Sequence, residues 1–258
     1  MLVQDVTSAE AIGEATIEIG PLSIKKLGLP EAVQYLRSAV LSRSRLSIAI
    51  CNAHTVMTAL DDPDYLETLN RMTLLNDGVG MALASKYLHG ESFPANLNGT
   101  DLIPHILAEI GTPLRIYLLG AKEEQVQLAK AHIEKTYPAH EVVGVRNGYF
   151  DVEDCAEVCA QVSAARPDLL LVAMGNPRQE KFIMENRAKL NATIAVGVGA
   201  LFDFMSGNVV RAPKAVQAVG LEWLFRFLQE PRRLFQRYVV GIPRFFLAVR
   251  KLKRAQTS

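Results

Sequence analysis

Cysteine is scarce in this chain, and so are long apolar runs. Only Cys51, Cys155 and Cys159 occur among 258 residues. So odd and sparse a set argues against a disulfide framework and fits a reducing compartment. Cys155 and Cys159 stand four apart in a helical pattern, where two thiols on one face point to packing rather than metal ligation, and no paired Cys/His cluster supports zinc. No window reaches ~18 uninterrupted apolar residues, which argues against a transmembrane helix. The first residues, MLVQDVTSAEAIGEAT, are polar and acidic and lack the basic run and apolar stretch of a secretory signal. No G-x-G-x-x-G opens the first βα unit and no G-x-x-x-x-G-K-[ST] occurs, so dinucleotide and P-loop readings lack support. No D-x-D is found that would hold a metal on a diphosphate. Internal repeats and low-complexity linkers are absent.

What is present is core. Hydrophobic residues make up 49% of the chain and charged residues 21%, enough for one substantial α/β domain. The net charge of +1 hides an asymmetry. From Arg226 to Arg254 there are nine Lys/Arg and one acid, Glu230, a net +8 that leaves −7 for the rest. An acidic body with a basic end points to an anionic partner.

Short apolar runs at Leu46–Cys51, Leu114–Leu119, Glu141–Val145, Leu169–Met174 and Thr193–Val198 read as parallel strands covered on both faces. Helical patterns at about Pro30–Ser42, Tyr65–Met72, Gly78–Leu88, Leu102–Gly111, Glu123–Tyr137, Val152–Arg166 and Gln179–Leu190 alternate with them. This alternation predicts an α/β fold with a doubly wound, mostly parallel sheet. After Asp203 the character changes. Helical patterns run from about Lys214 to Gln229, with breaks expected at Pro231 and Pro243. The expected division is an α/β domain over 1–205 and a helical, basic and aromatic C-terminal appendage over 206–258.

Ligands of open parallel sheets bind beyond the carboxyl ends of the strands. Asn52 follows the first strong strand, where its amide suits either a sugar or nucleotide contact or the cap of the next helix; His54 and Thr55 are near enough to take part. Asp77 in LLNDGVGM is placed either as a general base or as a helix cap, and Gly78 and Gly80 allow close approach. In LNGTDL, Gly99 precedes Thr100 and Asp101 at a helix start, where free amides suit a diphosphate or a hydroxyl; Gly120 repeats the arrangement after the next strand. GNPRQEKF offers Gln179 for a uracil edge or sugar hydroxyls, with Glu180 and Lys181 read either as site residues or as a solvated face. Gly199, Asp203 and Arg211 follow the last strand, an arginine pair or cap being the plainer account.

The C-terminal stretch interleaves Trp223, Phe225, Phe227, Phe235, Tyr238, Phe245 and Phe246 with arginines. That composition suits a helix lying on an anionic membrane, and its arginines suit a phosphate clamp. Core packing of Trp223 to Phe227 competes with this reading. Nucleic acid is disfavoured as a partner, because the apolar content exceeds what phosphate tracking needs.

LLNDGVGM, LNGTDL, the Gly-Tyr-Phe of VRNGYF, AMGNPRQEKF, GVGALFDFMSG, RAPK and GLEWLFRFLQEPRR occur here in the order seen in the WecG/TagA/CpsF family, glycosyltransferase family 26. The resemblance runs from about the first predicted strand to Tyr238. It implies an inverting transferase with a Rossmann-like core, moving a hexose-type sugar (glucose, N-acetylmannosamine or its uronic acid) from a UDP-sugar to a polyprenyl-diphosphate-linked saccharide. It implies action at the cytoplasmic face of the membrane, peripherally bound, with no cofactor and no metal. Asp77 matches the family's proposed base. Asn52, Gly99–Asp101 and Gln179–Glu180 fall where the family lines its pocket. Arg226, Arg232, Arg233 and Arg237 match or neighbour arginines of an appendage thought to close over the site. Ile50 stands where many members have Thr. Homo-oligomerisation is compatible with this reading, and a non-catalytic nucleotide-binding scaffold recruited to membranes is the alternative to it.

Overall fold

The computed structural model describes residues 15–213, 215–216 and 220–256, with the side chains of Arg233 and Gln256 outside that description. Eight strands form one sheet in the order β1-β2-β4-β3-β8-β7-β5-β6. β1 (Thr16–Ile19) and β2 (Leu22–Lys25) form an antiparallel hairpin at one edge; all other pairings are parallel. Next in chain order come α1 (Leu29–Ser42), β3 (Leu46–Cys51), α2 (Ala53–Asp61), α3 (Pro63–Asn70), β4 (Thr73–Asn76), α4 (Val79–His89) and α5 (Gly99–Glu109). Then follow β5 (Arg115–Gly120), α6 (Glu123–Thr136), β6 (Glu141–Arg146), α7 (Ala156–Ala165), β7 (Leu169–Ala173), α8 (Arg178–Glu185), β8 (Ile194–Gly197) and α9 (Leu201–Met205).

Alternation along each strand divides the core in two. In β3, Ile48 and Ile50 face one hydrophobic cluster while Ala49 and Cys51 face the other. The first cluster is shared with α1, α5, α6 and α9, the second with α2, α3, α4, α7 and α8. Both faces of the sheet are therefore covered, as its apolar strands require. The chain winds outward from β3 to β4, then returns to build β5 to β8 on the other side of β3. That reversal opens a crevice at the carboxyl ends of β3, β4 and β8.

The C-terminal segment folds differently from its expected pattern. Lys214 and Gln217–Val219 lie outside the described residues. α10 spans Glu222–Gln229. Pro231 starts α11 (Pro231–Phe235) rather than breaking a helix, since a first-turn proline has no intrahelical amide bond to lose. A π-helical turn, Gln236–Val240, leads into α12 (Gly241–Gln256), and Pro243 sits in its first turn. Gly241 N donates to Gln236 O, the wider spacing of a π-turn, just ahead of the proline that supplies no amide. The expected break at Pro243 is thus an irregularity in a continuing helix. α12 packs on α2 and α4, its Phe245 and Val249 joining the second cluster. Arg244 pairs with Asp61 at 3.2 Å, and Leu252 reaches Gly20 in the β1–β2 turn. Among the described residues no helix is long and apolar enough to cross a membrane.

Candidate active site

The crevice is a cavity of about 790 Å³, floored by the strand ends and walled on one side by α10, the π-turn and the start of α12. At the end of β3, Asn52 caps the next helix and also lines the cavity. Its Oδ1 accepts from the amides of His54 (3.0 Å) and Thr55 (3.2 Å), capping α2, while its Nδ2 donates to Asp77 Oδ2 at 3.1 Å. Asp77, one residue past β4, therefore has a fixed carboxylate. It is not the cap of α4: the cap position is Gly78, and no side chain bonds the helix amides there. Gly78 has φ +90° and ψ 161°, a conformation essentially restricted to glycine, and its amide donates to Asn96 Oδ1 at 2.8 Å. This turn leaves the Asp77 side chain on the cavity wall.

The neighbouring loop starts α5 with Asn98 rather than with the Gly99–Asp101 turn. Asn98 Oδ1 accepts from Asp101 N (2.9 Å) and Thr100 Oγ1 (2.6 Å). Gly99 is closely packed: a β-carbon there would stand 3.3 Å from both Ile50 Cδ1 and Val198 O, and these would have to give by a few tenths of an ångström. Gly99 and Thr100 line the cavity, and Asp101 does not. Asp101 instead receives Arg211 Nη2 at 2.6 Å and Asn98 Nδ2 at 2.7 Å. Burial works to raise its carboxyl, and these hydrogen bonds outweigh burial and hold it below its ordinary range. Arg211 also reaches Glu222 at 3.4 Å, tying α10 to the start of α5, so the plainer account of Arg211 is the observed one.

Gln179 and Glu180 depart furthest from expectation. Gln179 lines the cavity, but its Oε1 accepts from Gly175 N and Gly199 N, both at 3.1 Å, joining the loops after β7 and β8. Its Nε2 donates to Glu180 at 2.7 Å. The oxygen and the amide nitrogen of Gln179 are thus both engaged within the protein, and Glu180 is no part of a solvated face. Glu180 is fully buried and accepts from Tyr65 Oη and Asn176 Nδ2, each at 3.2 Å, and burial pushes its carboxyl up to about 7. Asn176 also donates to Thr55 Oγ1 at 3.2 Å, and Thr55 is buried behind Asn52. A continuous network thus runs from Glu180 through Asn176 and Thr55 to Asn52 and Asp77. Glu180 and Thr55 lie behind the wall of the cavity and do not line it. Lys181 pairs with Asp62 at 2.8 Å.

Gly199 lines the cavity at φ +55°, whereas Gly120 and Asp203 do not line it. At Gly120 a β-carbon would collide with Ala173 O at 2.2 Å, so that glycine serves the β5–β7 packing. One D-x-D triplet does exist, Asp62-Pro63-Asp64, contrary to the expectation from sequence. It lies at the start of α3, where Asp62 caps the helix through Tyr65 N and pairs with Lys181. Among the described residues, no group of three His, Cys, Asp or Glu is arranged to hold a metal ion.

The helical wall contributes cations. Arg226 and Arg237 both line the cavity. The Arg226 guanidinium lies 5.0 Å from the Phe204 ring centroid, and its Nε is shielded from solvent without a hydrogen-bond partner. Arg237 lies 5.7 Å from the Tyr238 ring centroid. Burial first, and the Arg237 charge second, hold His54 below its ordinary range and so favour neutral imidazole. Arg232 is exposed and lies off the cavity, and the side chain of Arg233 lies outside the described residues.

Several lining residues carried no separate sequence signal. Asn76 donates to Ala95 O at 2.8 Å, which fixes its amide and leaves a shielded Oδ1 unpartnered. Asn96, Asn98 and Asn176 were hidden in loops, though each is an amide within a few residues of a strand end or helix start, where caps and ligand contacts both arise.

A model of the glycosyl transferase WecG/TagA/CpsF family matches residues 17–258. An N-acetylglucosaminyldiphosphoundecaprenol N-acetyl-beta-D-mannosaminyltransferase of Bacillus spizizenii (strain ATCC 23059 / NRRL B-14472 / W23) is 31% identical over 246 residues, 94% of each chain. A protein of the same name from Bacillus subtilis (strain 168) is 32% identical over 206 residues, 79% of this chain and 78% of its own. With a doubly wound sheet, a fixed aspartate at its switch point and a match over nearly its whole length, the chain belongs to the WecG/TagA/CpsF family of glycosyl transferases.

Proposed function

We propose that this enzyme transfers a hexose-type sugar from a UDP-sugar to a saccharide carried on a polyprenyl diphosphate, with Asp77 as general base. The observation that carries the proposal is the pairing, in one cavity, of an Asp77 carboxylate fixed by Asn52 with two arginines stacked on aromatic rings. The names of the two relatives favour N-acetylmannosamine as the sugar moved and an N-acetylglucosaminyl diphospholipid as the acceptor, over glucose or the uronic acid.

In this reaction Asp77 takes the proton of the acceptor hydroxyl as its oxygen bonds to the anomeric carbon. The bond from that carbon to the UDP oxygen breaks on the opposite face, and the configuration inverts. Negative charge gathers on the departing diphosphate, where Arg226 and Arg237 meet it with donors held in a half-buried setting. Asn52 occupies Asp77 Oδ2, leaving Oδ1 for the proton. Neutral His54 also lines the cavity and is the competing base. Work at an anionic membrane surface is supported by the basic C-terminal segment.

Asp77→Asn, assayed with a panel of UDP-sugars and N-acetylglucosaminyl diphospholipid, should lower kcat by about 10²–10⁴-fold while UDP still binds. His54→Asn should cost less than about tenfold. Near-normal turnover by Asp77→Asn with its melting temperature unchanged would remove Asp77 from the role. UDP and vesicle binding by the wild type without product from any donor would favour the scaffold reading.

A further inference from the structure

α4 and α12 lie side by side and run in the same direction. Near their N-terminal ends, a β-carbon built on Gly80 would stand 3.9 Å from Phe245 Cε1; near their C-terminal ends, Lys253 Nζ donates to Leu88 O at 2.6 Å. Met81, Ala84 and Leu88 of α4, with Phe245 and Val249 of α12, point into the core. Val79, Leu83 and Tyr87 stand four apart on another stripe of α4 and are 46%, 50% and 53% exposed. Phe246 of α12 is 38% exposed.

Val79, Leu83 and Phe246 belong to the cavity wall as well as to the outer surface, and Tyr87 belongs to the surface alone. The apolar strip therefore starts inside the cavity and continues outward along α4, from residue 79 to 87, for about 12 Å at 1.5 Å per residue. Scattered exposed apolar side chains need no explanation, but a continuous strip leading out of a cavity does.

We propose that this strip seats the isoprenoid chain of the acceptor, an assignment that rests on the transferase reading above. The acceptor has three parts in fixed order: a saccharide, a diphosphate and an apolar chain. The cavity offers matching surfaces in its asparagine-rich floor with Asp77, its two arginines and its apolar lip. A polyprenyl chain is too long to be enclosed in about 790 Å³, so it has to leave by some wall, and the lip formed by Val79, Leu83 and Phe246 is a wall whose apolar character continues outside. A membrane plane or a second copy of the chain would call only for outer surface. A substrate that begins at Asp77 calls for a strip that begins inside.

The test compares two water-soluble acceptors, an N-acetylglucosaminyl diphosphate bearing a short prenyl chain and the same compound as its methyl ester, without vesicles. For the wild type, kcat/KM should favour the prenyl compound by about tenfold or more, and in L83S/Y87S that ratio should fall to about two or less. Tyr87→Ser alone, outside the cavity, should lower the ratio by a smaller factor. An unchanged ratio in the double variant would overturn the assignment. Two further measurements separate the other occupants. Loss of co-sedimentation with anionic phospholipid vesicles at an unchanged ratio would give the strip to the membrane, and a smaller sedimenting species at an unchanged ratio would give it to a second copy. A wild type that transfers to neither compound with any UDP-sugar would overturn the transferase reading and this inference with it.

Discussion

The floor of the cavity and its helical wall solve different problems. On the floor, polar groups are largely engaged by the protein itself: Asn52 by α2 and Asp77, Asn98 by α5, and Gln179 by two loop amides and Glu180. On the wall, Arg226 and Arg237 are set by aromatic rings, and the shielded Arg226 Nε has no partner. A group held by hydrogen bonds keeps its geometry with the cavity empty. A cation held by stacking keeps its hydrogen-bond donors available for an incoming anion. The geometry of the floor is therefore set by the protein alone, whereas in the reaction proposed above the wall would be completed by the diphosphate.

That contrast can be broken from the wall first. Arg226→Ala with Arg237→Ala should lower kcat/KM by about 10²–10³-fold, and Lys at either position should restore only part of it, because an ammonium neither stacks nor forks as a guanidinium does. Isothermal titration with UDP should show the same order of loss; UDP affinity equal to the wild type's would remove these arginines from the diphosphate. On the floor, Asn52→Ala removes a helix cap and the Asp77 contact together. About 1 kcal/mol of stability and roughly tenfold in kcat should go, with KM for the donor little moved.

Glu180→Gln sharpens the comparison through pH. The Glu180 carboxyl is raised from 4.5 to about 7 by burial, so the folded state holds its proton where the unfolded state has lost it. Wild-type stability should then fall as pH rises between these two values and level off above them. The glutamine variant should lack that contribution, seen as a smaller drop in melting temperature from pH 5 to pH 8; an identical drop would mean that Glu180 is not the titrating group. Smallest of all, Arg232→Ala, exposed and off the cavity, should change turnover by less than about threefold in a steady-state assay.

The same contrast governs what could be read before the structure. Short apolar runs of five or six residues announced β3, β5, β6, β7 and β8, and the strand-end rule then placed Asn52 at the crevice, while Asp77 was picked out by its place between an apolar stretch and a helix start. β4 escaped because TLLN is too short to register as a strand, although Asp77 follows it directly. β1 and β2 escaped for the same reason, as four-residue strands of a hairpin. α2 was missed as an element even though its cap, Asn52, was weighed as one. Side-chain roles were less visible than positions. Nothing local distinguishes Glu180, fully buried among Tyr65, Asn176 and Gln179, from the half-exposed Lys181 that follows it, because burial is decided by Tyr65, over a hundred positions away. Arg211 and Asp101 were each placed at the site and turn out to face each other instead.

The position of Phe245 and Val249 bears on how the enzyme can be handled at the bench. Cutting the chain before Arg244 is an obvious way to shed a sticky basic tail and obtain material that stays in solution. It would also withdraw two side chains with 0% and 2% exposure from a core shared with Ala84 and Met81. Losing one buried phenylalanine commonly costs about 3–5 kcal/mol, a large share of a typical domain's stability of about 5–15 kcal/mol. A shortened protein that is inactive would therefore say little about membranes. The informative design keeps Phe245, Val249 and Leu252 and exchanges only the outward Arg250 and Lys251, separating adhesion from integrity.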